Sequence, residues 1–81
     1  MADVYRDEYQ ILIARLRAAR KSASLTQTEV AARLGKTQGY VNKIEVGERR
    51  IDVVQLLDFC DALEIDFMAF IQSYYDALKS V

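Results

Sequence analysis

The chain has no histidine, no proline, three glycines and one cysteine among 81 residues. Each scarcity removes a class of protein. A lone Cys60 has no partner for an internal disulfide, and without histidine it leaves no ligand set for a zinc finger. One free cysteine fits a reducing compartment, so a cytoplasmic location is expected. No apolar run approaches the length that spans a bilayer. The N-terminal stretch carries acids and tyrosines, not a basic segment followed by a hydrophobic one, so neither a membrane anchor nor a signal peptide is expected. A Gly-rich phosphate loop is absent, as is a carboxylate pair at metal-site spacing, and Asp58, Asp61 and Glu64 read as an acidic, solvated helix face. The expectation is a non-enzyme with no metal and no cofactor.

What is present is apolar and periodic. More than half of the residues are hydrophobic, enough at this length for one helical core without staples, so a single domain over 1–81 is expected. Three helix starts repeat one arrangement. Leu25-Thr26 precedes Val30, Ile51-Asp52 precedes Leu56, and Ile65-Asp66 precedes Phe70. Each sets a capping residue between two apolar ones that can clasp across the first turn, and Thr26 with Glu29 completes a capping box. The pattern predicts an all-α, compact five-helix domain, with helices at about 7–21, 27–34, 38–46, 53–63 and 67–79. Its core should draw on Leu12, Leu16, Val30, Ala31, Leu34, Val41, Ile44, Leu56, Phe59, Cys60, Leu63, Ile65 and Phe70. Cys60 lies among inward-facing leucines and reads as a core thiol.

The second and third helices carry the most specific spacing. Val30 and Leu34 lie one turn apart on the first of the two, and Val41 and Ile44 are three apart on the next. Ala31 allows close approach, and Gly35 can adopt the positive φ of a sharp turn. Together these describe a helix-turn-helix. Charge gathers around it. Residues 14–50 hold nine basic and three acidic side chains, a net of +6, whereas residues 1–13 and 51–81 carry −2 and −5. The total of −1 therefore hides a local positive field suited to phosphate.

From Leu16 to Phe70 the chain resembles the Cro/lambda-repressor-like, or XRE, family of helix-turn-helix transcriptional regulators. The resemblance is carried by Arg20, Leu25-Thr26-Gln27, Val30-Ala31, Leu34-Gly35, Thr37-Gln38, Val41, Ile44-Glu45, Gly47 and the stretch from Leu56 to Leu63. It implies double-stranded DNA as partner, a phosphate contact from Gln27, and a base read by Gln38. Glutamine can offer adenine a paired donor and acceptor, worth about 1–3 kcal/mol of discrimination. Lys43, just over one turn beyond, can reach guanine or a phosphate, and Asn42 could contact backbone or base. Tyr40 could meet a thymine methyl or a phosphate, or simply cover the helix edge. Gly39 departs from the family, where a polar side chain is usual. It either permits close backbone approach or marks a lost contact. The resemblance also implies phosphate contacts from Arg49 and Arg50, with Lys36 and Thr37 adding to them. Arg20 and Glu45 are implied as a partly buried structural ion pair. Glu64 stands where the family usually has glycine, so either it adopts a left-handed conformation or a longer fourth helix reshapes the turn.

The last helix has more apolar surface than one face can bury. Phe67, Phe70, Ile71, Tyr74 and Leu78 form one stripe; Met68, Ile71, Tyr75 and Leu78 form a second. One stripe can seal the core while the other meets a second copy, so a homodimer joined through Met68, Ile71, Tyr74, Tyr75 and Leu78 is expected. The alternative is that the first helix, with Tyr5, Tyr9 and Ile13, folds back over that stripe. With no ligand-sensing domain expected, the architecture resembles small phage repressors, restriction–modification controllers and antitoxins. The leading expectation is a sequence-specific regulator on a palindromic operator. The competing one is a protein-interaction module that uses the same fold to bind a protein partner.

Overall fold

A computed structural model describes residues 6–80, among which there are five helices and no strand. They are α1 (Asp7–Ser22), α2 (Gln27–Leu34), α3 (Gln38–Glu45), α4 (Val53–Leu63) and α5 (Phe67–Lys79). The all-α, five-helix expectation holds, with ends displaced by a single residue at α1 and α3. Tyr5 lies outside the described residues.

Local chemistry sets the starts. Thr26 Oγ1 accepts the Glu29 backbone N–H at 3.1 Å, and Glu29 returns the bond by accepting Thr26 N–H at 2.9 Å. These bonds hold the Glu29 carboxyl below the usual carboxylate range. Asp52 and Gln55 form a second reciprocal box, at 2.7 and 2.9 Å, where the sequence pattern predicts only a cap. Thr37 and Asp66 cap α3 and α5 through Tyr40 N–H and Ala69 N–H. Such caps contribute roughly 1 kcal/mol each.

Two turns show what the backbone demands. Gly35 closes α2 with φ +68°, a left-handed residue that costs glycine little. Glu64 closes α4 in the same region, with φ +58°, so the first of the two turn alternatives is realised and α4 is not lengthened. Its carboxylate meets Arg33 at 3.1 Å, but that side chain is 79% exposed and the pair contributes little. Glu64→Gly should therefore stabilise the domain, by up to about 1 kcal/mol. A chemical-denaturation midpoint that falls instead would show that the Arg33 pair outweighs the strain.

The core lies where α1, α2, α3 and α4 converge under α5. Val30, Val41, Ile44 and Cys60 are wholly enclosed, with Leu16, Phe59 and Phe70 beside them. Leu12, Leu34 and Ile65 are half-buried at its edge, not inside it as expected. Ile13 and Ile51 take the inner places instead. Leu16 is buried as expected, and the buried face of α1 runs through Ile13, Leu16 and Arg20, leaving Leu12 at its margin. Burial pushes the Cys60 thiol up to about 11, so the reactive thiolate is scarce at neutral pH.

α1 is the element that joins the two ends of the molecule. Near its start, Tyr74 of α5 donates its hydroxyl to the Glu8 carbonyl at 2.9 Å, and Ile51 N–H donates to the Tyr9 hydroxyl at 3.0 Å. α1 thus packs along α5, but it meets the stripe that contains Tyr74 and leaves Met68 and Tyr75 of the second stripe uncovered. Phe67 and Ile71 pack on the core, while Met68 and Tyr75 stay 67% and 52% exposed. Among the described residues no helix is long and apolar enough to cross a membrane.

Candidate nucleic-acid interface

α2 and α3 pack against each other across Gly35, and α3 divides cleanly by exposure. Val41 and Ile44 are fully buried on its inner side. Gln38, Gly39 and Lys43 are exposed on the other, and Asn42 is half-buried at the boundary. A Cβ placed on Gly39 would meet nothing closer than Thr37 Oγ1, at 3.8 Å. Internal packing therefore does not require glycine at that position.

Cations flank α3. Lys36 and Thr37 are exposed in the turn before it, and Arg49 and Arg50 in the loop after it. Tyr40 packs its ring on the edge of the core, with Lys36 Nζ 5.3 Å and Arg49 Cζ 5.0 Å from the ring centre. The tyrosine thus gathers two cations from opposite ends of the helix, at contact distances that cation–π attraction favours. Tyr40 covers the helix edge, as the structural alternative has it, and it also orders charge there. Arg33, by contrast, donates to the Ala62 carbonyl at 2.7 Å and to Glu64, so its charge serves α4.

Behind the exposed face is a charged, buried joint. Arg20 Nε and Nη2 donate to the two carboxylate oxygens of Glu45 at 2.6 and 2.9 Å, and Nη1 donates to the Leu25 carbonyl at 2.9 Å. The two side chains are only 11% and 2% exposed. The hydrogen bonds to Glu45 raise the Arg20 pKa above its ordinary value, more than burial lowers it. One fork therefore fixes α1 to the end of α3 and to the entry of α2.

Gln27 sits in the middle. Its Nε2 donates to Glu45 Oε1 at 3.0 Å and to Asn42 Oδ1 at 3.3 Å, and its Oε1 accepts from Gln38 Nε2 at 2.6 Å. The resemblance implies a phosphate contact from Gln27; here both side-chain N–H groups of this residue are held within the protein. Spacing could not have shown this. Gln27 lies 11 and 15 residues from Gln38 and Asn42, across a turn that only the folded chain closes. Exposed Val53, Val54 and Leu57 on α4 were also missed, because they read as ordinary positions of a core helix.

The model of the family described as Helix-turn-helix matches residues 16–70. The chain belongs to the XRE family of helix-turn-helix proteins. An XRE-family-like protein from Pseudomonas syringae pv. tomato is 41% identical, with a TM-score of 0.82, covering 86% of this chain and 85% of that one. The restriction–modification controller protein C.AhdI from Aeromonas hydrophila is 30% identical, with a TM-score of 0.67 over 74% of this chain and 91% of its own. An uncharacterised HTH-type transcriptional regulator of Sinorhizobium fredii is 30% identical over 66 residues, 82% of this chain. The chain spans 34% of the length of that curated relative. The XRE fold thus accounts for the helix order, for the glycine turn and for the polar face of α3. It is the fold of a family of DNA-binding transcriptional regulators.

Proposed function

We propose that this XRE-family chain is a sequence-specific transcription regulator that binds a palindromic operator as a homodimer, in the cytoplasm. The observation that carries the reading is the outer face of α3. Gln38, Lys43 and the edge of Asn42 stand exposed above two fully buried anchors, between the cations Lys36 and Arg49-Arg50. A helix of this size fits the major groove, and glutamine, asparagine and lysine there can meet base edges. Thr37, Gly39, Tyr40, Lys36, Arg49 and Arg50 would lie along the backbones on either side.

The dimer reading rests on α5. Met68 and Tyr75 are exposed, and Ile71 and Leu78 are half-buried beside them. Tyr74, also proposed for the interface, already spends its hydroxyl on Glu8, so only its ring edge remains for a second copy. Val53, Val54 and Leu57 on α4 extend the apolar surface such a partner could cover. A two-fold pair would set two recognition helices about one DNA turn apart.

Selection from a random duplex pool tests the reading. A palindrome should emerge, and its affinity should fall steeply with salt. If Lys36, Lys43, Arg49 and Arg50 of two protomers neutralise about eight phosphates, the slope of log K against log salt is roughly −7. Gln38→Ala with Lys43→Ala should abolish the enrichment while leaving the fold intact. A second reading, a module that binds a protein, is favoured by the exposed apolar residues of α4 and α5 together with the acidic ends. A folded sample that enriches no DNA at micromolar concentration would support it instead.

A further inference from the structure

Glu45, Gln27, Gln38 and Asn42 form one hydrogen-bond relay, and its polarity is decided at the buried end. The Glu45 carboxylate, clasped by two N–H groups of Arg20, has only acceptors to offer. What it takes from Gln27 must therefore be an N–H, and the Gln27 amide nitrogen lies 3.0 Å away. The second N–H of that nitrogen goes to Asn42 Oδ1 at 3.3 Å. The Gln27 carbonyl oxygen is thereby turned toward Gln38, whose Nε2 donates to it at 2.6 Å. Each amide has its nitrogen and oxygen ends assigned by the one before. At the exposed end Gln38 is left with one N–H and its carbonyl oxygen, while Asn42 is left with an amide nitrogen.

We infer that Glu45, a buried residue out of reach of DNA, is a positioning residue that sets which base Gln38 reads. The inference rests on the DNA reading proposed above. A donor beside an acceptor complements adenine, whose N7 accepts and whose N6 donates; guanine presents two acceptors, O6 and N7. An amide free to turn about its last torsion could offer its –NH2 group alone to guanine, since that torsion is broad and roughly two-fold. The relay removes that freedom before DNA arrives. Gln27 acts through the protein, and a phosphate contact from its side-chain amide nitrogen would first have to break a bond to Glu45 or Asn42. Asn42 is polarised by the same chain toward donating, which suits a phosphate oxygen or a base acceptor.

The test compares the wild-type chain with Gln27→Ala and with the double variant Arg20→Met/Glu45→Leu. The double variant removes both charges together, a replacement that commonly preserves folding. Far-UV circular dichroism checks that both are folded. In selection from a random duplex pool, the wild type should enrich adenine at one position per half-site, the position whose preference is lost in Gln38→Ala. In both relay variants the adenine-over-guanine ratio there should fall about fivefold or more, the low end of a bidentate contribution, with preferences elsewhere unchanged. A merely structural role would weaken every sequence alike and leave that ratio intact. In the free protein, the Gln38 side-chain amide resonances should move toward solvent-exposed values in Gln27→Ala. An unchanged ratio in either folded variant overturns this inference alone. Failure of the wild type to enrich any sequence overturns the DNA reading and this inference with it.

Discussion

Arg20→Met and Glu45→Leu, made singly, will each destabilise the domain by about 3–5 kcal/mol, and made together will recover most of that loss. The asymmetry follows from burial. With side chains 11% and 2% exposed, neither charge can be solvated once its partner is gone. Loss of Arg20 also strands the Leu25 carbonyl, and loss of Glu45 strands an N–H of Gln27. Removing both leaves those two neutral groups to find other partners but no uncompensated buried charge, which is the larger cost. Urea denaturation of the three variants measures this directly, and singles that melt with the wild type would show the pair to be an ornament. For a domain near the low end of the usual range of about 5–15 kcal/mol, either single change brings the chain close to unfolding at physiological temperature.

The second large effect concerns assembly. Met68→Asp with Tyr75→Asp should convert a proposed dimer to a monomer and weaken operator binding on the order of a hundredfold or more, toward the non-specific range. Both residues are more than half exposed, so the folded monomer itself should change in stability by little, within about 0.5 kcal/mol per site. Sedimentation and binding on the same samples separate the two quantities. A variant with unchanged mass and unchanged affinity would remove α5 from the interface.

Much of this molecule could be read from its residues. Capping residues at Thr26, Asp52 and Asp66 mark the starts of α2, α4 and α5, whereas apolar spacing alone places α1, which has no side-chain cap at Arg6, and α3. Helix rotation was less legible. Leu12 and Ile13 are adjacent and both apolar, and only the packing of α1 decides which of them enters the core. The outer residues of α3 could be named because burial of Val41 and Ile44 dictates what faces away. Their connections could not. Whether a glutamine amide turns outward to phosphate or inward to a carboxylate depends on a neighbour 18 residues away, and no periodicity records it. The left-handed Ser24, before the helix-turn-helix, was likewise silent, because serine carries no glycine signal.

α1 holds α5 near its first turn, through Tyr74 and Glu8, and α3 near its last, through Arg20 and Glu45. A helix of 16 residues is about 24 Å long. It behaves as a strut between the surface proposed to join two copies and the helix proposed to enter the groove. In such an assembly the separation of the two half-sites is a length written into α1. Adding or deleting one residue there would turn everything beyond it by about 100°, the angle one residue subtends in a helix of 3.6 per turn. Operator spacing would then be a ruler that tolerates changes at the surface of α1 but not in its residue count.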